Sequence, residues 1–282
     1  MLDWRDYERA ELDRQYDARG SVHDFDAEIA RYRDMSAQSY ADCTVVADLA
    51  YGASAEQRID YFPAGSDAPV LIFIHGGYWR LLGRSDSALM AGALARQGIS
   101  TAVVEYTLAP EASLDQIVSE VKQAMVWIYA NIRQYGGNPK NLVICGSSAG
   151  AHLSAMAMAT DWEAEFGLPT QVLRGAMLLS GLYDLEPLIH CRPNQWLNLD
   201  LESARRNSPQ FLPLNPEINT QIYWGGTETD EFKRQSRAFL ENLQSTGAKV
   251  SGAEIADRNH FDIVTDLADP NRHIFKELQA MF

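Results

Sequence analysis

Residues 141–152, NLVICGSSAGAH, constrain this chain more than any other stretch. An apolar, strand-like run (Leu142, Val143, Ile144, Cys145) stops at Gly146. Two serines, Ala149 and Gly150 follow, and a helix-like segment begins. The pattern is Gly-x-Ser-x-Gly with Ser148 at its centre. A sharp strand-to-helix turn lifts such a serine out of a sheet in a strained backbone conformation. The positions two before and two after must then be nearly free of side chain. Gly146 and Gly150 meet that demand, so Ser148 is a candidate nucleophile. The plainer reading is an ordinary glycine-rich strand–helix turn.

The rest of the chain supplies the sheet this turn needs. Strands are expected at about 44–50, 57–62, 70–74, 100–105, 173–180, 220–224 and 249–255. The run Val70 to Ile74 is uniformly apolar, which suggests a central strand covered on both faces. Helices are expected at 85–97, 149–160 and 230–246, with another at the C-terminus. A long one at 113–135 has Leu114, Ile117, Val118, Val121, Met125, Ile128 and Ile132 recurring on one face. Strands alternating with helices imply an α/β fold, a mostly parallel sheet with helices on both faces. Residues 1–40 read as N-terminal helices, the second from 24 to about 35. They are either a lid or brace, or a cover for the sheet edge. Residues 185–212 are proline-containing and weakly periodic, which reads as an irregular insertion near a site. With no repeat or linker in its 282 residues, a single domain over 1–282 is the economical reading.

Charge and cysteine usage narrow the setting. A net charge of −14 argues against nucleic acid or an anionic membrane surface as partner. The N-terminal residues are too charged for the apolar core of a signal peptide, and no apolar run approaches about 18 residues. Cys43, Cys145 and Cys191 are odd in number and widely spaced, so a reducing, cytoplasmic location is expected. Whether the chain forms a homodimer stays open.

A serine hydroxyl needs a base, a group that orients the base, and donors for the developing oxyanion. In a strand–turn–helix site of this kind the acid and the histidine follow the serine in the chain. His260 follows the last strand, at the edge where the other strands end. His152 lies within the helix, His190 in the insertion and His273 in the terminal helix. The acid is expected after strand 220–224. Glu228 is nearest the strand end, while Asp230, Asp262 and Asp184 remain alternatives. His75-Gly76-Gly77 directly follows a central strand. The N–H groups of Gly76, Gly77 and Ala149 are the expected oxyanion donors. His75 is read as a residue that pins this loop. Tyr78 and Trp79 are expected beside the acyl site as substrate contacts, with core packing the alternative. No metal-ligand spacing or nucleotide motif is present in the sequence, and no cofactor is expected.

HGGYW, EYTLAPEA and GGNPKNLVICGSSAGAHL together resemble the hormone-sensitive-lipase-like branch of the α/β-hydrolase superfamily. HGGYW with GSSAGAHL, GLYDLEPL, ETDEFKRQS and NHFD resembles the arylformamidases, or kynurenine formamidases, over about residues 40–270. The resemblance implies the α/β-hydrolase fold and hydrolysis of N-formylkynurenine to kynurenine and formate. It implies Ser148 as nucleophile, His260 as base and Gly76 and Gly77 in the oxyanion loop. The acid position falls on Glu228, where the familiar pattern has aspartate. A carboxylesterase acting on short acyl chains uses the same machinery and is the alternative function. A non-catalytic binding protein on this fold is a third reading.

Overall fold

The computed structural model describes residues 3–282, so the expected N-terminal segment begins just outside the described residues. Eight strands form one sheet: β1 (Val46–Ala50), β2 (Arg58–Phe62), β3 (Ala68–Ile74), β4 (Ser100–Val104), β5 (Gly137–Ser147), β6 (Gly175–Leu179), β7 (Asn219–Gly225) and β8 (Val250–Ile255). Their order is β1-β2-β4-β3-β5-β6-β7-β8. β2 pairs antiparallel with β1 and β4, and every other pairing is parallel.

The apolar runs are continuous because the central strands face two cores. Side chains alternate along a strand. Val70, Ile72 and Ile74 of β3 therefore enter one core with Leu142 and Ile144 of β5. Leu71 and Phe73 enter the other with Val143 and Cys145. The helices are α1 (Arg9–Gln15), α2 (Phe25–Asp42), α3 (Ala91–Ala95), α4 (Leu114–Asn131), α5 (Ala149–Met158), α6 (Trp162–Phe166), α7 (Asn194–Leu197), α8 (Leu201–Arg206), α9 (Asp230–Ser245), α10 (Asp262–Thr265) and α11 (His273–Gln279). α1, α4, α5 and α9 bury side chains in the first core, and α2, α3 and α11 in the second. α4 follows its expected stripe. Ser113 caps its start, a 3-10 turn extends it to Tyr135, and Gly136 ends it at φ 90°.

Three segments differ from expectation. The helix expected over 85–97 shrinks to α3 and a 3-10 turn at Arg84–Asp86. Its backbone is satisfied from outside, because Ala88 N–H donates to Ser36 Oγ and Gly92 N–H to Ser39 Oγ. Both serines lie on α2, which runs to Asp42 rather than ending near residue 35. The insertion 185–212 is largely short helices, with a capping box between Asp200 and Ser203 opening α8.

α5 is buried along its whole length. On it, His152 donates from Nε2 to the Asn207 carbonyl at 2.7 Å, and Trp79 packs edge-on against its ring. Burial lowers its pKa from 6.5 to about 4. The unfolded chain therefore binds the proton more readily than the folded one. The neutral ring's contribution is complete above pH 6.5 and is lost as pH falls toward 4, to a total of about 3 kcal/mol. Urea denaturation across this range should show a shallower pH slope for His152→Gln than for the parent. Identical slopes would contradict a buried neutral imidazole.

Candidate active site

The strand register sets the site. Ile74 of β3 lies opposite Gly146 of β5, Ser147 opposite Leu179 of β6, and Gly225 of β7 opposite Ile255 of β8. The loops after β3, β5, β7 and β8 therefore emerge at one edge, where open parallel sheets place ligand sites.

Ser148 stands between β5 and α5 at φ 56°, ψ −119°, a conformation a side-chain-bearing residue holds only when its surroundings enforce it. The flanking glycines show the enforcement. A Cβ on Gly146 would lie 2.2 Å from the Gly150 carbonyl oxygen, and one on Gly150 would lie 2.0 Å from that of Ile74. The Ser148 N–H donates to the Leu179 carbonyl at 2.8 Å, tying the turn to β6.

His260 lies in the loop after β8, buried, with Phe232 at 4.4 Å and Phe261 at 5.2 Å between ring centroids. Its Nδ1 meets Glu228 Oε2 at 2.8 Å. The other oxygen of Glu228 accepts from Ser180 Oγ at 2.6 Å and from the Gly225 N–H. A proton on Nδ1 satisfies the bond to Glu228 and leaves Nε2 as the basic nitrogen. The other acids are elsewhere. Asp230 is exposed at the start of α9 with Lys233 at 4.0 Å. Asp262 accepts from the Asn259 N–H, and Asp184 from the Glu186 N–H. Ser148 and His260 line the same cavity. Ser148 Oγ makes no hydrogen bond among the described residues. In free enzymes such a bond commonly tightens only when substrate arrives.

The loop after β3 closes over the serine. His75 joins Glu105 through Nε2 at 3.0 Å and the Gly76 carbonyl through Nδ1 at 2.9 Å, and stacks on Tyr106 with centroids 4.2 Å apart. It pins the loop, as its sequence position suggests. A Cβ on Gly76 would lie 3.3 Å from Ser148 Cβ, so the loop backbone touches the nucleophile turn. Gly77, Tyr78 and Trp79 follow with φ of 101°, 53° and 56°. The N–H groups of Gly76 and Gly77 donate to no acceptor among the described residues. That of Ala149, first in α5, has no partner within its helix. Gly76, Gly77 and Tyr78 line the cavity. Trp79 does not, which corrects the expectation of a substrate contact. It is fully buried against His152 because the left-handed turn sends its ring into the core beneath the loop.

The cavity measures about 890 Å³, ample for a small aromatic substrate. Much of its wall comes from the N-terminal segment and the insertion. The segment braces the site. The Tyr16 carbonyl accepts from Tyr78 Oη at 2.6 Å, and the Gln15 carbonyl from Thr229 Oγ1 at 2.5 Å. Tyr16 Oη donates to buried Glu231 at 2.7 Å. One helix end thus joins the loop after β3 to the loop after β7. From the insertion, Trp196 donates from Nε1 to the Tyr78 carbonyl at 3.1 Å. Sequence reasoning left the N-terminal segment open between a lid or brace and a cover for the sheet edge, and Trp196 open between lid, pocket and interface. Tyr16 lies on the apolar period of α1, but its partners lie far along the chain.

The fold and site define an α/β-hydrolase. A solved structure from Silicibacter sp. is 26% identical, covers 94% of this chain and 98% of its own, and superposes with a TM-score of 0.82. A thermostable carboxylesterase from a metagenomic library shares the fold at 16% identity, with 99% and 97% coverage and a TM-score of 0.72. The family profile described as BD-FAE matches residues 61–174. Kynurenine formamidase of Danio rerio is 32% identical over 100% of this chain and 99% of its own length. The chain belongs to the kynurenine formamidase family and is a hydrolase.

Losing the Tyr16 hydroxyl strands the buried Glu231 carboxylate with one donor fewer. Tyr16→Phe should cost about 2 kcal/mol of stability in urea denaturation. An unchanged midpoint would show that the brace contributes nothing.

Proposed function

We propose that this protein hydrolyses N-formylkynurenine to kynurenine and formate, with Ser148, His260 and Glu228 as its triad. The observation that carries the reading is the buried Glu228–His260 bond, which places His260 in one cavity with a serine held in the strained turn. The close full-length relatives named kynurenine formamidase support the substrate.

Ser148 Oγ attacks the formyl carbon while His260 Nε2 takes its proton. Glu228 holds the imidazole and stabilises its charged form. The N–H groups of Gly76, Gly77 and Ala149 receive the negative oxygen of the tetrahedral intermediate. As the C–N bond breaks, His260 returns its proton to the departing aryl amine. Water, deprotonated by His260, then attacks the formyl–Ser148 ester; the ester C–O bond breaks, His260 returns the proton to Ser148 Oγ, and formate leaves. Tyr78 contributes cavity wall beside the acyl group. The three cysteines are unpaired thiols, which supports a reducing, cytoplasmic setting.

In a steady-state assay, Ser148→Ala should lose on the order of 10^6 in turnover. Glu228→Gln should lose about 10^4-fold and Asp230→Asn little. Near-normal turnover in the serine variant would end the mechanism, and the reverse order of the two acid variants would move the acid to Asp230.

A further inference from the structure

The charged residues around the cavity do not cancel. Five arginines line it. Arg14 pairs with Glu11 at 2.5 Å, Arg19 with Asp26 at 3.7 Å and Arg33 with Asp86 at 2.9 Å. The guanidinium groups of Arg80 and Arg192 have no carboxylate partner among the described residues. The chain carries 38 acidic against 24 basic side chains, so two guanidinium groups without carboxylate partners at one cavity run against its composition. Of the lining carboxylates, Asp13 pairs with Arg9 and Asp26 with Arg19, while Asp17 accepts only the Gly20 N–H.

Arg80 is also held in place. Its guanidinium carbon lies 4.8 Å from the centroid of the Trp196 ring. That ring is in turn fixed by its bond to the Tyr78 carbonyl, two residues before Arg80. A guanidinium stacked on a fixed ring keeps its edge N–H donors free and oriented for a planar anion. Arg192 lies in the insertion, four positions before Trp196, and its own N–H is anchored on Asp13. Both arginines therefore reach the cavity from elements already tied to the oxyanion loop or the N-terminal segment.

We propose that Arg80, assisted by Arg192, binds a carboxylate that the substrate carries away from its scissile bond, and so sets specificity for acylated amino acids over neutral esters and amides. This rests on the formamidase reading, whose substrate bears an α-amino acid group. Asp17 supplies a negative charge suited to the ammonium of the same group. Neither arginine takes part in bond breaking. Each acts as a specificity residue whose loss weakens binding of substrate and transition state alike, so KM rises and kcat changes little.

The test compares N-formylkynurenine, N-formylkynuramine, which lacks the carboxylate, and p-nitrophenyl acetate, using the parent enzyme, Arg80→Met, Arg80→Lys and the Arg80→Met/Arg192→Met double variant. The parent should prefer N-formylkynurenine to N-formylkynuramine in kcat/KM. Arg80→Met should raise KM for N-formylkynurenine about tenfold, and the double variant should raise it further. That loss should exceed the change on the other two substrates by about the same factor, and Arg80→Lys should recover part of it. Equal losses on all three substrates would reduce Arg80 to a structural residue and overturn the proposal. So would a parent enzyme that cleaves both formyl amides equally well. A parent that cleaves the ester and neither amide would overturn the formamidase reading, and this proposal with it.

Discussion

The structure depends on how closely the turn around Ser148 approaches the end of β3. Gly150 packs against the carbonyls of Ile74 and His75, and Gly146 packs against Gly150, at distances that leave no room for a Cβ. This contact holds Ser148 in its strained conformation and sets the height of the serine relative to the loop after β3. Parallel pairing of Ile74 with Gly146 fixes the register, so the Ser148 turn and the Gly76 backbone meet without a flexible side chain between them. Fixing the proposed donors and nucleophile on rigid backbone would reduce the reorganisation needed when charge develops.

Glu228, the proposed acid, is positioned in the same manner. A glutamate has one more rotatable bond than an aspartate, and that freedom must be removed for it to orient an imidazole. Ser180 Oγ and the Gly225 N–H hold one oxygen, which leaves the other for His260 Nδ1. Ser180 follows β6 directly and Gly225 ends β7, so the clamp is built from two adjacent strand ends. The Gln15–Tyr16 helix end bonds both the loop after β3 and the residues flanking Glu228. It couples parts of the site that are distant in sequence.

Much of this was legible in the sequence because it follows from local chemistry. Gly-x-Ser-x-Gly after an apolar run identifies the turn. The uniform apolar character of Val70 to Ile74 identifies a strand with a core on each face, and Glu228 is the first acid after its strand. What the sequence hid depends on long-range contacts. α3 is short because serines of α2, some fifty residues away, satisfy its backbone. Tyr78 and Trp79 are consecutive aromatics in a left-handed turn, so neither helical nor strand periodicity tells which one faces the cavity. The roles of Tyr16 and Trp196 rest on partners 62 to 215 residues distant.

The central claim is that this constellation serves a formyl aryl amide rather than a simple ester. It is tested most directly by kcat/KM of the purified protein on N-formylkynurenine and on p-nitrophenyl acetate under identical conditions. The account expects a clear preference for N-formylkynurenine, with formate and kynurenine released in equal amounts. A clear preference for the ester would contradict it and leave a carboxylesterase built on the same triad.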